Sequence, residues 1–113
     1  MTVTVNGRPV SFEVDPFVLG GRTMAQVRPL AEAMGAEIDW NDVSQTVTLT
    51  RGWRNARCQV GSEVGLINGN GQFLDEPPVF VGDAVIVPVR FAAEGMGFQA
   101  QWDEGRRTVS LVG

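Results

Sequence analysis

Two glutamates have the type and spacing that could do chemistry in this chain. Glu32 and Glu94 lie 62 positions apart, and each follows an arginine, Arg28 or Arg90, by four residues. Two carboxylates facing each other across a cleft are the machinery of glycoside hydrolysis. A guanidinium one helical turn away instead keeps a carboxylate ionised and can tie a helix to its surroundings. The spacing leaves a small carboxylate-dependent hydrolase open, but it favours a repeated structural role in which each arginine ties its helix to the sheet or to the glutamate.

The residue types that are missing exclude most other chemistry. The 113-residue chain contains no His, no Lys and no Tyr. Without histidine the usual general base and the usual zinc or copper ligand are absent, and without lysine there is no Schiff-base chemistry. Asp39, Asn41 and Asp42 lack the spacing and the distal glutamate of a calcium loop. The sequence therefore predicts no catalytic residue, no cofactor and no metal site, and it favours a protein that is not an enzyme.

The single cysteine is predicted to be part of the core. Cys58 lies in the segment 55–60, where polar and apolar residues alternate strictly. That period is typical of a strand with one buried face, which would carry Cys58 together with Ala56 and Val60. A buried thiol has a raised pKa and behaves as a small apolar group. One cysteine forms no internal disulfide and does not report the redox compartment.

Three tryptophans are candidates for ligand contact or for core packing. Trp40 and Trp102 lie 62 positions apart, whereas Trp53 has no counterpart and precedes Arg54. An exposed indole can stack on a sugar, and a buried one fills a core. Repetition favours the core for Trp40 and Trp102. Trp53 with Arg54 is the predicted surface contact.

Charge and hydropathy narrow the partners. The net charge is -4 and no basic run occurs, so nucleic-acid binding is not expected. No apolar run approaches the roughly 20 residues that cross a bilayer, so membrane insertion is not expected either. No signal peptide opens the chain.

The chain contains an internal repeat. Moved forward by 62 positions without a gap, residues 3–51 lie on residues 65–113, and 14 of the 49 pairs are identical. A unit of about 50 residues is marginal alone, so the two copies are expected to share one core within a single domain, 1–113. Residues 52–64 form the connector, and its alternating segment predicts a strand.

The elements predicted in each copy are hairpins and one short helix. Asn6-Gly7 and Asn68-Gly69 are strong hairpin signals between alternating segments. Helices are predicted over residues 28–34 and 90–96, each ending at a glycine. The predicted fold is α+β: two pseudo-symmetric copies, each made of antiparallel β-hairpins with one short helix packed on the sheet.

The second copy carries the motifs of a known family. They are Asn68-Gly69, Pro77-Pro78, the run VPVRFAAEGMG over residues 87–97, Trp102-Asp103 and RTV over residues 107–109. The chain resembles the copper amine oxidase N-terminal domain-like family of stalk domains. The first copy departs from the pattern, with Gln26 at the proline position and Pro29 at the phenylalanine position. The resemblance implies a module of secreted or surface proteins of bacteria, with the oxidase chemistry located in a different domain.

These observations support three hypotheses of function. The first is a non-enzymatic extracellular structural or interaction module of a bacterial exported protein: a spacer, surface-attachment or assembly domain. The alternative is a carbohydrate- or cell-wall-polymer-binding domain, and the third is the small hydrolase. The expected partner is a protein or a wall polymer, and the expected location is extracellular or the cell surface.

Self-association is a further expectation. The strands from Met1 to Val5 and from Thr108 to Val112 carry no internal charge or proline, the usual protections of a free sheet edge. If they lie at edges, they can pair with a neighbouring chain. The competing arrangement is that they pair with each other or with the connector strand inside one domain.

Overall fold

The computed structural model describes residues 1–113, which form thirteen strands and two helices. The first half contains β1 (Thr2–Val5), β2 (Arg8–Pro9), β3 (Phe17–Leu19), β4 (Arg22–Gln26), α1 (Val27–Ala33), β5 (Glu37–Asn41) and β6 (Thr46–Arg51). The connector strand is β7 (Arg54–Gln59). The second half contains β8 (Val64–Ile67), β9 (Asn70–Phe73), β10 (Val79–Val81), β11 (Ala84–Pro88), α2 (Val89–Gly95), β12 (Gln99–Asp103) and β13 (Thr108–Val112).

The strands form three sheets. Their orders are β12-β13-β1-β2, β10-β11-β4-β3 and β5-β6-β7-β8-β9. The two helices are only seven residues each, which is too short for stability without packing, and their apolar sides are buried. The predicted α+β class, mostly β-sheet with two short helices, is confirmed.

Both Asn-Gly pairs form the tight hairpin turns that the sequence predicts. Asn6 and Gly7 have φ of 49° and 84°, and Asn68 and Gly69 have φ of 50° and 80°. Two successive residues at positive φ match the twist of a tight hairpin. The first hairpin is shorter than its alternation predicts, because its second strand ends at Pro9. The N–H of Val10 still donates to the carbonyl of Val3 at 2.9 Å, but the segment from there to Val14 forms no strand.

The expected free edges are wrong. β1 pairs in parallel with β13, with Val3 opposite Val109, and each strand has a second neighbour on its other side. The strands from Met1 to Val5 and from Thr108 to Val112 therefore lie inside one sheet, whose edges are β2 and β12. The competing arrangement, in which the two strands pair with each other, is confirmed. This parallel pair is also the one exception to the antiparallel pairing that hairpins predict.

Both helices end in the same way. The N–H of Gly35 donates to the carbonyl of Glu32 at 3.0 Å and that of Ala36 to Ala31 at 2.9 Å, and the corresponding bonds of Gly97 and Phe98 close α2. Gly35 and Gly97 have φ of 72° and 86°, which a side chain rarely adopts. The chain therefore turns sharply from each helix into the following strand, as the glycines predict.

The connector strand packs under α2 and has no equivalent under α1. β7 lies between β6 and β8, and a Cβ at Gly95 would lie 2.7 Å from the Cβ of Ala56. Ala33, which occupies the same place at the end of α1, is exposed. Arg51 also joins β6 to the end of α2, because its Nη1 donates a hydrogen bond to the carbonyl of Met96 at 2.9 Å. The end of α2 is therefore covered by β7, whereas the end of α1 is open to solvent.

A second difference is an exchange of side-chain volume. Val3 is fully buried in β1, whereas its counterpart in β8 is Gly65, where a Cβ would lie 2.7 Å from the ring of Phe91. Position 91 corresponds to Pro29 in the first helix. The missing side chain at Gly65 thus leaves room for the ring of Phe91, because close packing requires a larger neighbour where one side chain is lost.

One core unites the chain. A single cluster of 21 buried residues draws on both halves and on β7. No polar or charged side chain is buried. Cys58 is buried in that cluster, as its alternating segment predicts.

Candidate functional site

The repeated glutamates do not form a shared acid pair. Glu32 and Glu94 are both exposed on their short helices. Glu94 lines one of the two main grooves of the surface, whereas Glu32 lines neither. The arrangement therefore does not supply the facing carboxylates of a glycosidase.

The Arg–Glu pairs are not formed either. The two ion pairs in the chain are Arg22 with Asp75, and Arg106 with Asp103. Arg28 and Arg90 are exposed and have no carboxylate within ion-pair distance, so the prediction that they tie their helices down was wrong. The helices are held by their buried apolar faces instead.

One groove, which we call the Trp102 groove, has a volume of about 600 Å³. It lies between β12, the first turns of α2, the chain around β9 and the hairpin of β3 and β4. It is lined by residues 18, 21–23, 67, 72–76, 88–91, 94, 100–102 and 109. Its floor is apolar, and charged side chains stand at its rim.

A second groove, the Trp40 groove, has a volume of about 710 Å³. It is lined by residues 13, 26–28, 38, 40, 42, 47, 80 and 82–85. Eleven of these thirteen positions have their counterpart, 62 residues away, in the lining of the Trp102 groove; the exceptions are Asp42 and Gly82. The two grooves are thus built from matching positions, and their sizes are similar.

The grooves differ at their tryptophans. Trp40 meets the ring of Phe80 edge to face, with centroids 5.9 Å apart, and its indole N–H donates to Oδ1 of Asp42 at 3.3 Å. In the Trp102 groove the position of Phe80 is held by Val18. Trp102 is 44% exposed and has no aromatic partner. The prediction that both tryptophans are core was therefore wrong for Trp102, while Trp40 is half-buried against the core.

The polar side of each groove is also held differently. Gln26 accepts the backbone N–H of Glu13 at 3.2 Å and of Val14 at 3.4 Å beside the Trp40 groove. Its counterpart Pro88 accepts nothing through its side chain. The Trp102 groove instead has the ion pair between Arg22 and Asp75, which joins the two halves of the chain at the surface.

Trp53 is exposed, as the sequence predicts. The residue is 75% exposed, and the guanidinium carbon of Arg54 lies 4.4 Å from the centroid of its ring. Neither residue lines a main groove. The role of Trp53 and Arg54 as a surface contact stays a prediction.

The sequence reasoning did not single out the Trp102 groove. The sequence feature that points to this groove lies in the repeat, where Phe80 of the second copy corresponds to Val18 of the first. A difference between two copies at one position marks where they diverge, but it points to an open indole only once the fold places Val18 and Trp102 in one groove.

Burial changes the chemistry of the one cysteine. It raises the pKa of the Cys58 thiol from 9.0 to about 12, because the thiolate would be stranded in the apolar core. The thiol is therefore protonated and inert at neutral pH. No three His, Cys, Asp or Glu side chains are grouped to hold a metal ion.

We predict that the free energy of unfolding falls steeply in alkali, and that Cys58 is the one side chain responsible. The folded pKa of Cys58 lies above the unfolded one, so its contribution is complete below pH 9.0 and is lost as the pH rises towards about 12. The expected loss is about 1.4 kcal/mol per pH unit. Because the chain has no Lys or Tyr, no other side chain titrates in that window. Urea unfolding between pH 8 and 11 under reducing conditions measures it. Cys58→Ala is the control and should flatten the slope; an equal slope in that variant would contradict the assignment.

The comparisons with known proteins identify the family of the chain. Residues 4–111 match the copper amine oxidase N-terminal domain family. No curated protein matches the chain. Neither helix is long or apolar enough to cross a membrane. In the oxidases that give the family its name this domain is a non-catalytic part. With nearly its whole length matched, the chain belongs to the copper amine oxidase N-terminal domain family.

Proposed function

We propose that this domain is a non-enzymatic structural or interaction module of a bacterial exported protein, acting as a spacer, surface-attachment or assembly domain. The observation that carries the proposal is the family match, since the family's domain is non-catalytic. The structure supports it in one further respect. The candidate acid pair is not assembled in one groove, so the carboxylates offer no acid–base machinery.

The module is proposed to consist of two pseudo-symmetric copies, residues 3–51 and 65–113, joined by the connector 52–64. Backbone conformation supports this division. Five of the six positive-φ residues of the first copy, at 6, 7, 20, 35 and 45, have a positive-φ counterpart 62 positions on, at 68, 69, 82, 97 and 107; the exception is Gly21. The antiparallel pair of β4 with β11 is centred on Ala25 opposite Val87, which are themselves equivalent positions. A twofold axis through that pair would relate the copies.

A rigid spacer needs one cooperative body, and the shared core provides it. The sheet of β1 and β13 joins the two ends of the chain, and the sheet of β4 and β11 joins its two halves. The first and last strands of the domain, which carry its two termini, are neighbours in one sheet. Because these two strands run parallel, the chain enters at the Thr2 end of the pair and leaves at the opposite end, where the N–H of Gly113 donates to Oδ1 of Asn6. That arrangement suits a spacer whose flanking segments leave from opposite ends of the sheet.

A second candidate function is binding of a carbohydrate or wall polymer. Two exposed tryptophans, Trp53 and Trp102, favour it, because an exposed indole offers a large flat face on which a sugar ring can stack. The partner in either case is a protein or a wall polymer outside the cell.

The test of the first function uses the full reading frame that encodes residues 1–113. We expect an export signal or exported neighbouring domains in that frame, and the protein on the surface of the producing cells. Deleting the domain should displace the protein from the surface and leave the activity of any neighbouring enzyme domain unchanged. A protein that stays in the cytosol, or a neighbouring enzyme that loses turnover on its substrate without the domain, would contradict the proposal.

We also predict that the domain has no specific copper site. The family name refers to an oxidase, but this chain has no histidine for copper and no tyrosine from which a quinone cofactor could form. Calorimetry with Cu²⁺ should therefore show no stoichiometric site of sub-micromolar affinity. A one-to-one titration in that range would overturn the prediction.

A further inference from the structure

We propose that the Trp102 groove binds a neutral saccharide that carries an acetamido group, with the indole of Trp102 as the stacking face. This inference names the site and ligand class of the second candidate function and rests on it. It starts from the difference between the two matching grooves. In one the indole ring is engaged by Phe80, and in the other it is open.

The open indole determines the first requirement on the ligand. The face of an aromatic ring carries partial negative charge, so it attracts partially positive groups such as the axial C–H bonds of a pyranose. Trp102 lies on β12, an edge strand, and lines the groove together with Gln101 and Ala100. A strand at a sheet edge leaves room for an extended ligand beside it. The groove, at about 600 Å³, falls within the range of sites for small ligands.

The charged pair above the floor determines the second requirement. Arg90 and Glu94 stand one helical turn apart on α2, are exposed, line the groove and make no ion pair with each other. Together they offer N–H donors and carboxylate acceptors with no net charge. An amide presents the complementary set, because its carbonyl accepts and its N–H donates. The methyl of an acetamido group then meets the apolar floor, which includes Val89 and Leu74.

Charge excludes an anionic polymer as the occupant. The rim of the groove carries Arg22 and Arg90 but also Asp75, Glu76 and Glu94, and the chain as a whole has a charge of -4. A phosphate-rich ligand needs an excess of cations at its site. An extended peptide also presents amides, but it has no pyranose face for Trp102. A neutral acetamido saccharide meets both requirements.

The experiment uses the hexamer of N-acetylglucosamine as the probe, with calorimetry on the intact chain. Trp102→Ala should weaken binding at least about tenfold, since a buried tryptophan contact typically carries a large share of binding energy. Val18→Phe should also weaken binding, because it places an aromatic ring in the groove against Trp102, as Phe80 lies against Trp40. Val18 is half exposed, so this variant should fold normally, which circular dichroism checks.

Two matched controls keep the site separate from the function. Trp53→Ala removes the other exposed indole, and Phe80→Val alters the second groove; each should leave the affinity within about twofold of the parent. If the hexamer binds but only Trp53→Ala weakens it, the site is wrong while carbohydrate binding stands. If the hexamer does not bind, or a blocked Ala-Gly hexapeptide binds equally well, the saccharide proposal is overturned. Neither result bears on the spacer function.

Discussion

Residues 1–51, produced without the rest of the chain, are expected to remain unfolded. Two sheets would lose their joining strand pairs, since β1 would lose β13 and β4 would lose β11. What remains is two short hairpins, one longer hairpin and a seven-residue helix. A helix of that length is unstable alone, and so short a chain buries too little apolar surface to offset its conformational entropy.

The measurement is thermal unfolding followed by circular dichroism, with the intact chain as the control. The intact chain should show one sharp transition and the fragment none. Adding residues 52–113 should restore a transition, because these residues supply β7, β11 and β13. A sharp transition of the fragment alone would mean that the first copy has its own sufficient core, contrary to the single cluster seen here.

Gly95→Leu is expected to destabilise the domain by about 3 kcal/mol or more, because the leucine side chain has no space beneath α2. Even a Cβ at this position would lie 2.7 Å from that of Ala56 in the connector strand. The higher helix propensity of leucine returns only about 1 kcal/mol. The loss is large against the roughly 5–15 kcal/mol by which domains are stable.

The matched control is Ala33→Leu in the first helix. Ala33 occupies the corresponding last residue of α1 but is exposed, because no connector strand lies beneath it. The free energy of unfolding of the Ala33→Leu variant should differ from that of the parent by less than about 0.5 kcal/mol. Gly95→Ala should fall between the two, with a smaller clash and the same gain in propensity. Urea denaturation measures all three. Equal effects at positions 33 and 95 would show that β7 does not pack where the structure has it.

Local signals in the sequence predicted most of the elements. The Asn-Gly turns, the glycines after both helices and the alternation around Cys58 each depend on neighbours within a few residues. Their conformations follow from backbone sterics and from the two-residue period of a strand. The strand at 54–59 and both helices accordingly lie within one residue of their predicted bounds.

The parallel pairing of β1 with β13 could not be predicted in the same way. It joins residues more than a hundred positions apart, and no turn chemistry specifies such a pair. The connector strand, the other candidate partner of these two strands, lies in a different sheet, between β6 and β8. Long-range strand order is a property of the whole core, and local patterns carry little of it.

The surroundings of the side chains in the candidate site were also only partly predictable from the sequence. Repetition made Trp40 and Trp102 look equivalent, and they do line matching grooves. Their surroundings differ through Phe80 against Val18 and through the hydrogen bond that only Trp40 makes. An expectation based on identical residues could not account for differences in the residues that cover them. Arg28 and Arg90 were likewise expected to be paired, and both are free.

The three tryptophan indoles provide a direct test of binding at the open groove, since each gives its own N–H signal in a ¹⁵N nuclear magnetic resonance spectrum. Trp102 reports on one groove, Trp40 on the matching groove and Trp53 on the connector surface. When the N-acetylglucosamine hexamer is added to the intact chain, the Trp102 signal should move in proportion to saturation, while those of Trp40 and Trp53 stay in place. A spectrum in which Trp102 does not move, or in which Trp53 moves alone, would contradict the assignment of this groove as the binding site.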